Sequence, residues 1–240
     1  MESLSNGENV MRLGIIVSIL GCGLASVCGC KRAESSAPAP PPVSAASFLG
    51  MNSTTGGSWA GVYGSEGVDI SGVGYTLPSY AAVSTTGVPF TWEASTTEAR
   101  APQNLTGTDR VAADWYGTSN SFDFSLSFTN GSTHQVALYV LDFDNQNRQE
   151  SIQVLNPSTQ AQLASVSVYP FTNGAYAIFN VSGSVIFRIT KMSGGGPALT
   201  GIFIDPPGHP TSLPTSGPAS APTSAPASGV TPSPTSSPTP

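Results

Sequence analysis

The stretch SFDFSLSFT at residues 121–129 places Phe122, Phe124, Leu126 and Phe128 at every second position, with serine, aspartate and threonine between them. Successive side chains of a strand point to opposite faces, so this alternation describes an antiparallel strand with one face buried and the other in water. Comparable runs follow at HQVALYVLDFD (134–144), ASVSVYPF (164–171), AYAIFNV (175–181), SVIFRITKM (184–192) and ALTGIFID (198–205). Asn130-Gly131, Asn173-Gly174, Ser182-Gly183 and Gly194-Gly195-Gly196 separate them as turn signals. No stretch carries a convincing helical period. Many short strands with regular turns predict an all-β domain, an antiparallel two-sheet β-sandwich of jelly-roll type.

That domain is predicted to span residues 47–205, which hold all three Trp, all seven Tyr and all ten Phe. One sizeable core accounts for them. Cys22, Cys28 and Cys30 all precede it, so the domain folds without disulfides. The formal charge of −6 falls on the domain, and charged residues are only 9% of the chain. No basic stripe is present, which excludes nucleic acid as a partner. Residues 206–240 repeat Pro, Ser, Thr and Ala without Asp, Glu, Lys or Arg and without Phe, Tyr or Trp. Such a segment buries too little to offset its ordering entropy, and a disordered spacer is expected.

At the other end, Arg12 is followed by an apolar run over residues 13–27 and then by small residues, the layout of a signal peptide. Val27-Cys28-Gly29-Cys30 resembles a lipobox, which implies lipidation of Cys30; Ile19-Leu20-Gly21-Cys22 fits the same pattern and makes Cys22 the second choice. Acyl chains on that sulfur would anchor the protein at the membrane without a spanning helix. The other reading, a secretory signal or uncleaved anchor with incidental cysteines, stays open. Glu2 and Glu8 are unusual ahead of a signal, so translation is expected to start at Met11. Residues 31–46, KRAESSAPAPPPVSAA, read as an extended tether. The expected location is the cell envelope, with the domain facing periplasm or cell exterior.

A further set of segments carries a resemblance: Phe48-Leu49-Gly50, Thr54 to Trp59, Gly61-Val62-Tyr63-Gly64, then Leu138 to Asp144 with Arg148, and the closing Gly201-Ile202-Phe203-Ile204-Asp205. Together they resemble a β-sandwich module of secreted bacterial proteins of the Planctomycetes and Acidobacteria type, often found beside carbohydrate-active or adhesive domains. The resemblance covers residues 47–205 and implies fold and secretion without a catalytic site. The module usually has a polar residue after the tryptophan and a tryptophan between the two aspartates, where this chain has Ala60 and Phe143.

Among residues able to meet a ligand, Trp59, Tyr63, Trp92, Trp115 and Tyr116 supply flat faces for stacking, although a disulfide-free sandwich also uses such side chains for bulk. Trp115 and Tyr116 are neighbours in a strand and must face opposite sides. Asp142 and Asp144 lie two apart, with Arg148 beyond. They read first as a structural ion pair that orders the loop, then as weak calcium ligands or contacts to sugar hydroxyls. No cofactor is expected. His134 and His209 are the only histidines and no nucleophile-elbow glycine pattern surrounds a serine, so a serine-hydrolase triad is not expected. Eleven acids leave a chance carboxylate pair of the glycosidase kind open. The expected function is a non-catalytic, lipid-anchored module that binds a glycan or cell-wall polymer; the alternative is a structural envelope lipoprotein that contacts other proteins.

Overall fold

The structure is a computed structural model that describes residues 42–209; Cys22 and Cys30, the expected lipidation positions, most of the expected tether and the tail from 210 onward lie outside the described residues. Every regular element among them is a strand: β1 (Ala45–Asn52), β2 (Gly67–Ile70), β3 (Gly74–Thr76), β4 (Ala81–Thr85), β5 (Val88–Thr96), β6 (Arg110–Tyr116), β7 (Ser121–Phe128), β8 (Thr133–Val140), β9 (Gln149–Leu155), β10 (Gln162–Val168), β11 (Ala175–Ser182), β12 (Ser184–Ser193), β13 (Ala198–Leu199) and β14 (Gly201–Asp205). They form three antiparallel sheets. The first has six strands in the order β1-β11-β8-β14-β2-β3, the second five in the order β10-β9-β12-β7-β4, and the third three in the order β13-β6-β5.

The alternation in β7 works as the sequence implies: Phe122, Phe124, Leu126 and Phe128 are buried, and the residues between them are not. On β12, Val185, Phe187 and Ile189 repeat the pattern, as do Ile152 and Val154 on β9. These side chains meet Val136, Leu138, Val140, Phe179, Ile202 and Ile204 of the first sheet in one core between the two sheets. β8 differs, because every residue from His134 to Val140 is buried. Its even-numbered residues face the second sheet, while Ala137 and Tyr139 join a second core with Tyr176, Ile178, Phe203, Trp59 and Tyr63 on the outer face.

That outer face is covered by irregular chain over residues 53–66 and 97–103. Tyr63 stacks on Tyr176 with ring centroids 4.4 Å apart. The hydroxyls of Tyr176 and Tyr139 donate to the carbonyls of Gly56 (2.7 Å) and Arg100 (2.6 Å), and the Trp59 indole donates to that of Gln103 (2.8 Å). The Asp205 carboxylate accepts from the backbone amides of Gly64 and Ser65. Gly174 has a left-handed φ of 80°, and a Cβ there would lie 1.8 Å from the Tyr139 hydroxyl, so no other residue fits beneath that ring.

Three features depart from the sequence expectation. A third sheet joins the two of the sandwich. β1 starts at Ala45, paired with Ser182, two residues inside the predicted tether. The run 198–205 is two strands, because at Thr200 the chain crosses from the third sheet, where Leu199 pairs with Trp115, to the first, where Gly201 pairs with Tyr139.

Truncating Leu138 to Ala should cost about 2–5 kcal/mol, since the cavity opens at the centre of the inter-sheet core. Tyr139→Phe, which removes one hydroxyl bond to the cover, should cost about 1 kcal/mol. Urea unfolding of both variants checks the order.

Candidate functional site

β5 and β6 pair so that Phe90 lies opposite Asp114 and Val88 opposite Tyr116, which puts Phe90, Asp114 and Tyr116 on one face and Trp115 on the other. The register slips between Thr91 and Glu93, so Trp92 occupies a bulge. A bulge bends the strand and re-aims its side chain, and here it brings Trp92 against Phe90 at 5.2 Å in an edge-to-face contact. Phe90 also meets Tyr116 edge-on at 6.2 Å. The three rings, with Asp144, Arg148 and Gly196, line a shallow cleft of about 280 Å³. Phe90 is 48% exposed.

The opposite wall is built by the loop after β8. Asp142 is buried and accepts from the backbone amides of Gln146 and Arg148, while the Arg148 guanidinium donates to both Asp142 and Asp144 and to the Gly196 carbonyl. Asn145 and Asn147 take left-handed φ values of 56° and 54°, which asparagine tolerates better than most residues. The glycine triplet packs against this turn: a Cβ on Gly194 would lie 2.2 Å from the Asn147 carbonyl oxygen, and one on Gly195 3.0 Å from the guanidinium. Arg148 also lies over Trp92, 5.9 Å from the ring centroid. Behind Trp92 comes Phe143, and the Arg100 guanidinium lies over the Phe143 ring, 4.8 Å from its centroid.

Beneath the cleft are two buried acids. Asp114 accepts from the Thr200 hydroxyl and Glu150 from the Ala198 amide, and each has a second oxygen without a hydrogen bond. Burial pushes the Asp114 carboxyl up to about 7, against the help of Thr200 and Arg148, and raises that of Glu150 well above its ordinary value.

The fold thus sorts the sequence candidates. It brings together Trp92, Tyr116, Asp144 and Arg148, with Asp142 buried behind them as the support of Arg148. Trp59 and Tyr63 are not ligand positions: at 7% and 2% exposed they are core of the outer face. Trp115 turns the other way and packs on Phe124 at 5.4 Å. Asp142 and Asp144 share the Arg148 cation, as the ion-pair reading expects, so Arg148 stands where a metal would have to bind. Among the described residues no group of three or more metal-ligating side chains converges. Phe90 was not among the candidates, though VPFTWEAST at 88–96 sets it two residues from Trp92.

No protein-family model and no curated protein matches the chain. Among solved structures, it is similar to the enzymatically active domain of bacteriophage CBA120 tailspike protein 4, with 14% identity over 53% of this chain and 19% of that one, at a TM-score of 0.28. The functional reading therefore depends on the cleft itself.

Asp114, and Asp69 with a carboxyl raised by burial to about 6, start from an ordinary value of 3.8. A carboxyl raised on folding contributes stability that is full below its unfolded value and is lost as pH rises through its folded value. The thermal midpoint should therefore fall between about pH 4 and pH 7, and Asp114→Asn should flatten that slope. Calorimetry on the two proteins across this range measures it.

Proposed function

We propose that this domain is a non-catalytic binding module for a glycan or cell-wall polymer, held at a bacterial cell envelope by a lipid on Cys30. The observation that carries the reading is the cleft in which Phe90, Trp92 and Tyr116 surround a hollow beside Asp144. Sugar rings present apolar faces that stack on aromatic side chains, and hydroxyls that charged acceptors bind. The Asp144 side chain is 30% exposed, and a carboxylate has lone pairs left after bonding one arginine. Among the lining residues Asp144 is the one carboxylate, whereas glycoside hydrolysis uses two facing each other across the bond. The rings meet edge-on, so they enclose a hollow instead of forming one flat plate. Its volume lies near the ~300 Å³ lower end of small-molecule sites, which favours one or two units of a soluble chain over a crystalline polymer face.

Titration of the protein with a panel of soluble polysaccharides, followed by tryptophan fluorescence, tests this. Saturable binding is expected with at least one polymer. Trp92→Ala should weaken it about ten-fold or more, a loss of roughly 1.4 kcal/mol, while Trp115→Ala leaves it unchanged. Chelation of calcium should not alter it. If no polymer binds, or if Trp92→Ala binds as tightly as the unaltered protein, the reading fails.

A further inference from the structure

The first sheet reaches further than the second on one side, and the sandwich is open there. At this edge β2 lies outside β14, with Asp69 opposite Ile202 and Tyr75 of β3 opposite Asp69. Ile202 points into the inter-sheet core, so Asp69 points the same way. An apolar layer thus continues sideways into a carboxylate. The residue is 8% exposed, yet among the described residues its carboxyl has no hydrogen-bond or ion-pair partner. An unpaired carboxylate in such a place is costly, and desolvation alone raises its proton affinity.

Asp69 opens into a groove of about 490 Å³ whose floor includes Trp115 and Phe124 and whose far side is the whole of β4. β4 is the edge strand of the second sheet. Thr129 donates its backbone amide to Tyr80, and Thr86 donates to Asp123, in register with the β4–β7 pairing. Even-numbered residues therefore bond to β7, and the amides and carbonyls of Val83 and Thr85 turn toward the free edge. The groove offers an unpaired backbone edge, an apolar floor and a single buried anion.

We propose that this groove is a docking site for an extended peptide segment of another protein, which adds as a strand to β4 and sets a lysine or arginine side chain on Asp69. Strand addition supplies main-chain hydrogen bonds, and the pockets beneath alternate side chains supply selectivity. Here one inward residue meets Trp115 and Phe124 and another brings the cation. The net charge of −6 favours a basic partner. This site is separate from the cleft at Trp92, since Trp115 and Tyr116 face opposite sides of β6.

The full-length protein in detergent is titrated with a capped peptide of alternating valine and threonine that carries one central lysine, and with the same peptide carrying glutamine there. The lysine peptide should bind, with shifts in the amide resonances of Val83 and Thr85. The glutamine peptide, and the lysine peptide on Asp69→Asn, should each bind about ten-fold more weakly, as expected for loss of one charge-assisted bond. Binding of the lysine peptide should also weaken as pH falls below about 6, where Asp69 gains its proton. Polysaccharide binding should be the same in Asp69→Asn, so failure at one site is distinguishable from failure at the other. Equal binding of the two peptides, loss of neither on Asp69→Asn, or no peptide binding at all would overturn the proposal. A thermal melt showing Asp69→Asn at least as stable as the unaltered protein excludes unfolding as the cause of any loss.

Discussion

The central strands of the six-stranded sheet, β11, β8, β14 and β2, are buried on both faces, and much of the molecule exists to satisfy that. A sheet between two apolar layers needs a cover on each side, and among the described residues there is only one other sheet large enough to serve. The second cover is irregular backbone, whose carbonyls would be stranded against an apolar surface unless something donates to them. Tyr139 and Tyr176 solve this from the sheet side, with rings in the core and hydroxyls on the carbonyls of Arg100 and Gly56. The consequence reaches the cleft. Once residues 97–103 are fixed, the Arg100 guanidinium donates to the carbonyls of Phe143 and Thr172, and Phe143 is held behind Trp92.

The ion cluster at Arg148 is the other fixed point of that wall. Burying a guanidinium with two carboxylates costs desolvation that the pairing only offsets when the remaining donors are met. Here the Gly196 carbonyl and both aspartates meet them, and in exchange Asp142 organises a turn with two left-handed asparagines. The energetic gain of such a cluster is small; what it supplies is one geometry for Asp144 and one position for the cation over Trp92. The acids beneath, Asp114 and Glu150, avoid a second charge penalty by favouring their protonated forms.

How much of this the sequence shows depends on whether a residue's environment is set nearby or far away. β7, β11 and β12 are legible because each carries its own alternation or apolar run between turn signals. β4 (AAVST) and β5 (VPFTWEAST) are not, since β4 is made of small or polar residues, β5 carries a proline and two register slips, and both take their strand character from partners 14 to 47 positions away, in an order no local pattern encodes. β8 reads as apolar from Val136 to Val140, but that run alone does not say that both faces are covered. The site divides the same way. Trp59 and Trp92 are chemically identical, and what separates them is that one lies over the outer face of a sheet while the other sits in a bulge at the margin of a three-stranded one. The link between Asp142, Asp144 and Arg148 is legible because it lies within seven residues of one loop.

β6 shows how one strand can serve two openings without coupling them. Its period of two sends Tyr116 to the cleft and Trp115 to the groove beside Asp69, with the backbone between. Both openings lie where a sheet stops short of its cover: the cleft where β5 has no further partner, the groove where the second sheet ends at β4 before the first ends at β3. In a layered fold, an edge is where apolar surface and unpaired backbone come within reach of solvent together. A small disulfide-free sandwich has few places to put a binding site without opening its core, and its uneven edges are the places where the opening already exists.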